Sequence, residues 1–443
     1  MNTKDVADFI LDTSFDRLPA EVVAKAKLCT LDALGAAIAA HNTKTVSMVR
    51  GLVRSSGGKA EATLWGLGLM APLAGAALVN GTMTSVLDTD DGIMSPVGHL
   101  GHVGGCVIPA ALAVGEREGA TGAEFLEAVV AGYEVATRTG WMLCEPEQKK
   151  IPLAGTNGAY GAVVAAARLL RLTRDETIHA LGICEGYTPV PKMGRIAISG
   201  PMTKEAMPWA TMTGIMAAEL AQRGFSGPFT IYDDPKYDQS PLDTLDKEYD
   251  IMKVYFKPYC ACRFTHATLD IILDLMKKQS LAADDVASVT VECSASGSLL
   301  ASHHPATIEH AEYSFPFVIG AALLEGKVGP EQIKDSRLND AAILRQAEKV
   351  KVVFSEAMQA ILPARFGAIV TVETRDGRTF KKQRDYPRWE PEEPFSQKEV
   401  EDKFRDWSTT VIDRDSAEEI VECAGEMEDL DDIGEMVDLI ACF

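Results

Sequence analysis

Three capping boxes constrain this chain more than any other feature. In Thr121-x-x-Glu124, Thr173-x-x-Glu176 and Ser396-x-x-Glu399 a hydroxyl stands where it accepts the third backbone N–H of a helix. A carboxylate stands where it reaches back to the N–H of the capping residue. Apolar residues at helical spacing follow the first two, which predicts helices over 122–139 and 175–184. The same spacing predicts a helix over 21–40, with Pro19 near its start, where a missing N–H is tolerated. It also predicts an Ala/Gly/Leu/Met helix over 66–88 buried on most sides, an apolar helix from Cys106, a small-residue helix over 155–170, and a helix over 204–223 behind a Gly/Pro loop at 186–202.

Near Ser226 the texture changes. Residues 226–250 are rich in Asp, Pro, Gly and Tyr without a period and read as a loop or linker. Beyond them, helical patterns (266–278, 315–325) mix with alternating strands (286–293, 349–355, 368–374, 379–384). Asp376-Gly377 between the last two is a hairpin signal. A proline-rich exit at 387–394 leads to the helix capped by Ser396 and to an acidic, Leu/Met-spaced tail over 415–439. The fold expected is mainly α with a smaller α+β domain. Residues 1–250 together with 395–443 form the all-helical domain and 251–394 the α+β domain. A length of 443 residues suits two cores better than one.

The formal charge of −21 disfavours nucleic acid and anionic membrane as partners. It also means that an anionic substrate needs a local basic island. The apolar stretch 22–40 carries Lys25, Lys27 and Asp32, which argues against a membrane span. The N-terminal residues have no basic-then-apolar export pattern. Nine scattered cysteines then read as reduced thiols of a cytoplasmic protein. The close pair Cys260-x-Cys262 lacks zinc-site spacing.

The chemistry concentrates in Ser85–Pro109. Asp88, Asp90 and Asp91 are followed by a Gly/Pro-rich loop with His99 and His102. Three readings compete: a divalent-cation site, polar residues capping helices, and a carboxylate–imidazole pair for proton transfer near neutral pH. The third is favoured. A metal-binding helix would want another carboxylate one turn on, and Met94 and Ser95 stand there. Five cations on loops and helix ends supply the basic island: Lys192, Arg195, Lys204, Lys257 and Arg263, with His266 beside the last. Lys204, read at a helix start, opposes the helix dipole, which favours a functional reason for it. Gly155-x-x-Gly158-x-x-Gly161 lacks the preceding strand of a nucleotide site and reads as close helix packing. His303, His304 and His310 read as surface residues.

Taken together, these stretches resemble the MmgE/PrpD family. The resemblance rests on Leu87-Asp-Thr-Asp-Asp91, His102 before Gly-Gly-Cys-Val-Ile-Pro109, Gly132-Tyr-Glu-Val135, the 158–170 helix and Met202-Thr-Lys204. It continues in Lys257-Pro-Tyr with Arg263-Phe-Thr-His266, and in Ser314-Phe-Pro-Phe-Val318, in the family's order along nearly the whole chain. It implies an all-helical domain completed by the C-terminus, an α+β lid, a homodimer and no organic cofactor; the residue pattern adds the expectation of no metal. It further implies a small anionic substrate, a di- or tricarboxylate, bound in the cleft. Asp88, His102, Lys204 and Lys257 fall on the family's active-site positions, and His99, Lys192, Arg195, Arg263 and His266 are expected to bind substrate around them. Three positions depart from the family pattern. Gly92 follows Asp91 where the family has threonine, Pro152 (after Lys149 and Lys150) replaces a histidine, and Phe317 replaces the decarboxylases' tyrosine. The activity implied is a dehydratase- or decarboxylase-type lyase acting at a carbon next to a carboxylate. Epimerisation of an amino- or imino-dicarboxylate is the alternative, and an inactive carboxylate sensor is the alternative of another class.

Overall fold

The computed structural model describes residues 1–144, 154–390 and 392–443. The fold is mainly α with a smaller α+β part. The first half runs α1 (Thr3–Asp12), α2 (Ala20–Ala39), α3 (Lys44–Ser56), β1 (Ala62–Leu64), β2 (Leu69–Ala71), α4 (Leu73–Ser85), β3 (Gly92–Ser95) and β4 (Gly98–His99). It continues with α5 (Gly104–Glu118), α6 (Gly122–Met142), α7 (Ala154–Leu169), α8 (Arg174–Tyr187), α9 (Met193–Ser199) and α10 (Met207–Gln222). All three capping boxes close, on α6, α8 and the helix Gln397–Ser408.

Helix α7 is the hub, packed against α5, α6, α8 and α10. Its Ala/Gly composition lets four neighbours approach at once. A Cβ on Gly161 would stand 2.6 Å from Val107 Cγ2 and 3.0 Å from the Gly132 carbonyl, so only hydrogen fits there. The glycine spacing is a packing seam.

Several predicted elements change at their ends. The helix expected over 66–88 begins only at Leu73, because residues 62–71 pair as the β1–β2 hairpin and Pro72 opens the helix. The Asp/His loop contains two short strands, β3 and β4, and β3 also pairs with β5 (Val254–Tyr255), which follows the expected linker. The loop at 186–202 holds α9. Helix α10 starts at Met207 and not at Lys204, because Lys204 and Ala206 have φ of 42° and 63°.

Past β5, α11 (Arg263–Gln279) leads into a four-stranded sheet of β6 (Val286–Cys293), β7 (Val350–Phe354), β8 (Ala368–Thr374) and β9 (Thr379–Arg384) in the order β7-β6-β8-β9. Strand β6 runs parallel to β7 and antiparallel to β8. Helix α11 packs against β8 and β9, and the helix Phe315–Glu325 against β7. No helix among the described residues is long and apolar enough to cross a membrane.

The tail returns to the first helices. Phe404 abuts Gly35 of α2, and Gly122 N–H donates to the Leu430 carbonyl at 2.9 Å. Lys403, buried, reaches Asp32 on α2 at 2.5 Å and the Thr89 carbonyl at 2.8 Å. One ammonium group thus ties the C-terminal helix, α2 and the Asp88–Asp91 loop together.

Replacing Lys403 by Ala leaves Asp32 buried and uncompensated, so it is expected to destabilise the fold by about 3 kcal/mol. Burial already pushes the Asp32 carboxyl up against the pull of Lys403. Without Lys403 the folded state holds the Asp32 proton more tightly than the unfolded chain does. Stability then falls as pH rises, and the deficit is larger at pH 8 than at pH 5. Urea titration of both proteins at the two pH values measures this. A pH-independent loss under about 1 kcal/mol would contradict it.

Candidate active site

Asp88 lies just past the end of α4, with φ of 50°, and its N–H donates to the Ser85 carbonyl at 3.2 Å. Its carboxylate is shared between two ammonium groups. Oδ2 is 2.8 Å from Lys257 Nζ, and Oδ1 is 3.2 Å from Lys204 Nζ. Lys204 also donates to the Ser85 carbonyl at 2.8 Å and to Glu312 Oε2 at 2.9 Å. A cation on the last carbonyls of α4 complements the helix dipole. Two neighbouring loops thus adopt left-handed backbone at non-glycine residues, each at about 1 kcal/mol or more, and meet through their side chains. Strain held in this way clusters at functional sites.

The hydrogen bonds of Lys204 go to the Ser85 carbonyl, the Val86 carbonyl at 3.3 Å and Glu312, with Asp88 as a further ion-pair partner. Lys257 differs. It is fully buried, and among the described residues its hydrogen bond is to Asp88 Oδ2 alone.

His102 sits opposite. Its Nδ1 is 2.5 Å from the Asp91 carbonyl. A carbonyl only accepts, so Nδ1 carries the hydrogen and Nε2 keeps a lone pair. That Nε2 is 3.9 Å from Asp88 Oδ1. Two acceptors face each other across a gap, and a proton arriving on Nε2 would be stabilised by Asp88 at once.

Burial and charge set the ionisation. Burial alone would raise the Asp88 carboxyl; Lys204 and then Lys257 override it and hold it well below the usual range. Burial alone would lower Lys204; Asp88 and Glu312 override it and hold it above its ordinary value. Burial, then Lys257, lowers His102 to about 4, so it is neutral at pH 7. Burial pushes Asp90 and Glu312 well up, against the attraction of the lysines. Burial likewise raises Asp91 to about 7, against its hydrogen bonds from Tyr133 and the Gly104 N–H. Asp88 is thus the firmly ionised carboxylate between two ammonium groups, and Glu312 pairs with Lys204 on its far side.

Of the other expected site residues, His99 joins the cluster, its ring centroid 5.6 Å from that of His102. Arg263 and His266 are buried but engaged. Arg263 pairs with Glu390 at 2.6 Å and donates to His266 Nδ1 at 3.1 Å, while His266 Nε2 meets the Ala261 carbonyl at 2.9 Å. Lys192 and Arg195 are exposed, at the cap and first turn of α9, outside the buried cluster. Phe317 is buried in the helix Phe315–Glu325. Pro152, Lys149 and Lys150 lie outside the described residues. His304 is exposed beside Glu348, whereas His303 and His310 are half-buried.

Sequence reasoning missed Glu312, two residues before the Ser314-Phe-Pro-Phe motif; Asp90, named with the aspartate cluster but not among the expected site residues, has two buried oxygens without a hydrogen-bond partner among the described residues. Among those residues no three His, Cys, Asp or Glu converge as a metal cage.

Residues 4–237 match the MmgE/PrpD N-terminal domain and residues 259–429 the MmgE/PrpD C-terminal domain. Asp88, His102 and Lys204 fall in the first match and Glu312 in the second, with Lys257 between them. The chain is 25% identical to cis-aconitate decarboxylase of Mus musculus, over 99% of this chain and 93% of that one. It is 24% identical to cis-aconitate decarboxylase of Homo sapiens, over 99% and 94%. It is 21% identical to the cis-aconitate decarboxylase-like protein oryM of Aspergillus oryzae, over 99% and 97%.

Asp88→Asn keeps a residue that tolerates left-handed backbone but strips the charge from between two buried ammonium groups. A loss of about 3–5 kcal/mol in unfolding free energy at pH 7 is expected, read from denaturant midpoints at constant m. A loss below about 1 kcal/mol would mean that Glu312 carries the compensation instead.

Proposed function

The chain belongs to the MmgE/PrpD family, and from that premise we propose that it is a lyase acting on a small di- or tricarboxylate by proton transfer at the carbon next to a carboxylate. The observation that carries the reading is the unprotonated Nε2 of His102 facing Asp88, beside the open ammonium of Lys257.

In this reading Lys257 binds the carboxylate next to the reacting carbon. His102 Nε2 removes the proton from that carbon, and the electron pair moves into the carboxylate as an enediolate. Lys257 stabilises the charge as it forms, in a site without competing water. Lys204 adds to the field and holds Asp88 in position. Asp88 stabilises the imidazolium, so its benefit appears only once the proton has moved. In elimination the C–O bond then breaks, and the departing hydroxide takes a proton from Asp90, whose carboxyl burial pushes well up, and leaves as water. The cluster is nearly closed to solvent (Asp88 3%, His102 4%, Lys204 7% exposed), so substrate entry requires the elements around it to separate. Arg263 and His266 are assigned to shaping the wall, and Lys192 and Arg195 to attracting the anion from outside. We further assign the chain to a homodimer, on the family's pattern, and to the cytoplasm, on its scattered reduced cysteines.

Decarboxylation is the second reading. It draws on the three relatives, which align over 99% of the chain. There the electron pair arrives from a breaking C–C bond and the carbon takes up a proton. NMR of reaction mixtures separates the two readings, by loss of water in one and by released CO₂ in the other.

Incubation in D₂O with citrate, 2-methylcitrate or cis-aconitate is expected to put solvent deuterium on the carbon next to a carboxylate. His102→Ala and Lys257→Met are expected to slow that exchange at least about 100-fold with folding retained. Exchange within about tenfold of wild type in either variant removes that residue from the chemistry. Binding without exchange in the wild type would make the chain a sensor.

The base must be neutral, so kcat/KM is expected to fall as pH drops through about 4, after correction for the substrate's own carboxyls. A limb near the ordinary histidine value of about 6.5 would contradict the assignment.

A further inference from the structure

The proton-transfer centre leaves unexplained a second group of buried polar atoms on the ribbon β4-β3-β5. In its register Gly92 faces Tyr255 and Met94 faces His99. Alternate positions of a strand share a face, so Tyr255 and His99 project from the same side of β3. Their ring centroids are 5.8 Å apart, and His99 is 5.6 Å from His102. Three rings thus lead away from the Asp88 centre.

On the two rings of that row beyond His102, two polar atoms are sealed from solvent. Neither Tyr255 Oη nor His99 Nε2 has a hydrogen-bond partner among the described residues. Buried polar atoms without partners are uncommon enough to need a reason. Both are donors. Gly101 N–H donates to His99 Nδ1 at 3.3 Å, so the ring hydrogen is on Nε2. Burial holds the Tyr255 phenol well above its ordinary value, so it keeps its hydrogen. The Arg263 guanidinium lies 4.0 Å from the Tyr255 ring centroid, and four of its five N–H groups go to Glu390, His266 and the Arg388 carbonyl. It contributes positive field to this wall.

Gly92 makes the arrangement possible. A Cβ there would collide with Tyr255 Oη and Cζ, so the phenol occupies the space a side chain at 92 would need.

We infer that Tyr255 Oη and His99 Nε2 form an uncharged donor pair that holds a second carboxylate of the substrate, beside the one bound by Lys257. The inference rests on the proposed carboxylate-lyase reading and extends it. Two donors on neighbouring rings can each engage an oxygen of one carboxylate, and neutral donors add affinity without a further buried charge. The site then selects substrates with a carboxylate beyond the reacting one.

The test is steady-state kinetics with cis-aconitate, paired with calorimetric binding of citrate. Tyr255→Phe and His99→Leu are each expected to raise KM and the citrate Kd about tenfold, with kcat within about threefold of wild type. His99→Gln, which keeps an N–H donor, is expected to stay within about threefold of wild type in both. Gly92→Ala is expected to follow Tyr255→Phe, because its methyl group displaces the phenol, hydroxyl included, without altering Tyr255 itself. Unchanged KM and Kd in Tyr255→Phe and His99→Leu, with an active wild type, would overturn the subsite and leave the lyase reading standing. A kcat loss of about 100-fold at constant KM would also overturn it, since that marks proton transfer and not binding. A wild type that neither binds citrate nor turns over cis-aconitate would remove both the lyase reading and the subsite.

Discussion

Two buried ammonium groups converge on one carboxylate, and much of the structure follows from that contact. Asp88 holds Lys257 at 2.8 Å and Lys204 at 3.2 Å. Removing any of the three would leave charge stranded in a medium that penalises it heavily. Each neighbour then has a place. Lys204 reaches Asp88 by crossing the end of α4, where the Ser85 carbonyl receives it. Lys403 grips the Thr89 carbonyl and Asp32, so the C-terminal helix steadies the loop that carries Asp88. The hub helix α7, built from Ala and Gly, lets α5 and α10 approach closely enough for the two loops to meet.

The contact also answers a question raised by the chain's charge of −21. An acidic protein can present an electropositive centre if burial decides which carboxyls ionise. Asp88, between two lysines, stays charged, whereas Asp90 and Glu312 are pushed toward their neutral forms by desolvation. The remaining acidic residues lie mostly in water, where screening limits their reach. The same burial lowers His102 and leaves it a neutral imidazole with one free nitrogen. What the site lacks in basic strength it regains when the proton arrives, because Asp88 is 3.9 Å away.

Much of this was legible in the sequence, for physical reasons that can be named. Capping boxes are local, and all three formed. Alternation in β6 and β8 and the Asp376-Gly377 turn are local too. Asp88, His102, Lys204 and Lys257 stood out by residue type and by the family resemblance, and they meet. The ribbon β4-β3-β5 was illegible because β4 and β5 are two residues each, and β5 pairs from more than 150 residues away. Lys204 looked like a helix start, but its backbone is left-handed and its ammonium meets partners at 88 and 312 that no local pattern reveals. Arg263 looked available as a substrate ligand; Glu390, 127 residues distant, occupies it. Lys192 and Arg195 sit on a loop that carries its own short helix and faces solvent. Pairing partners and burial, which decide what a charged side chain does, are set by the tertiary fold.

The central claim is that His102 is a neutral base with Nε2 open toward an ionised Asp88. Long-range ¹H–¹⁵N correlation of the histidine rings at pH 6 tests it most directly, with His102→Gln for assignment. The account predicts that His102 carries its hydrogen on Nδ1, with an unprotonated Nε2, and that His266 shows the opposite tautomer. An imidazolium signal for His102 at that pH, or a hydrogen on Nε2, would contradict it.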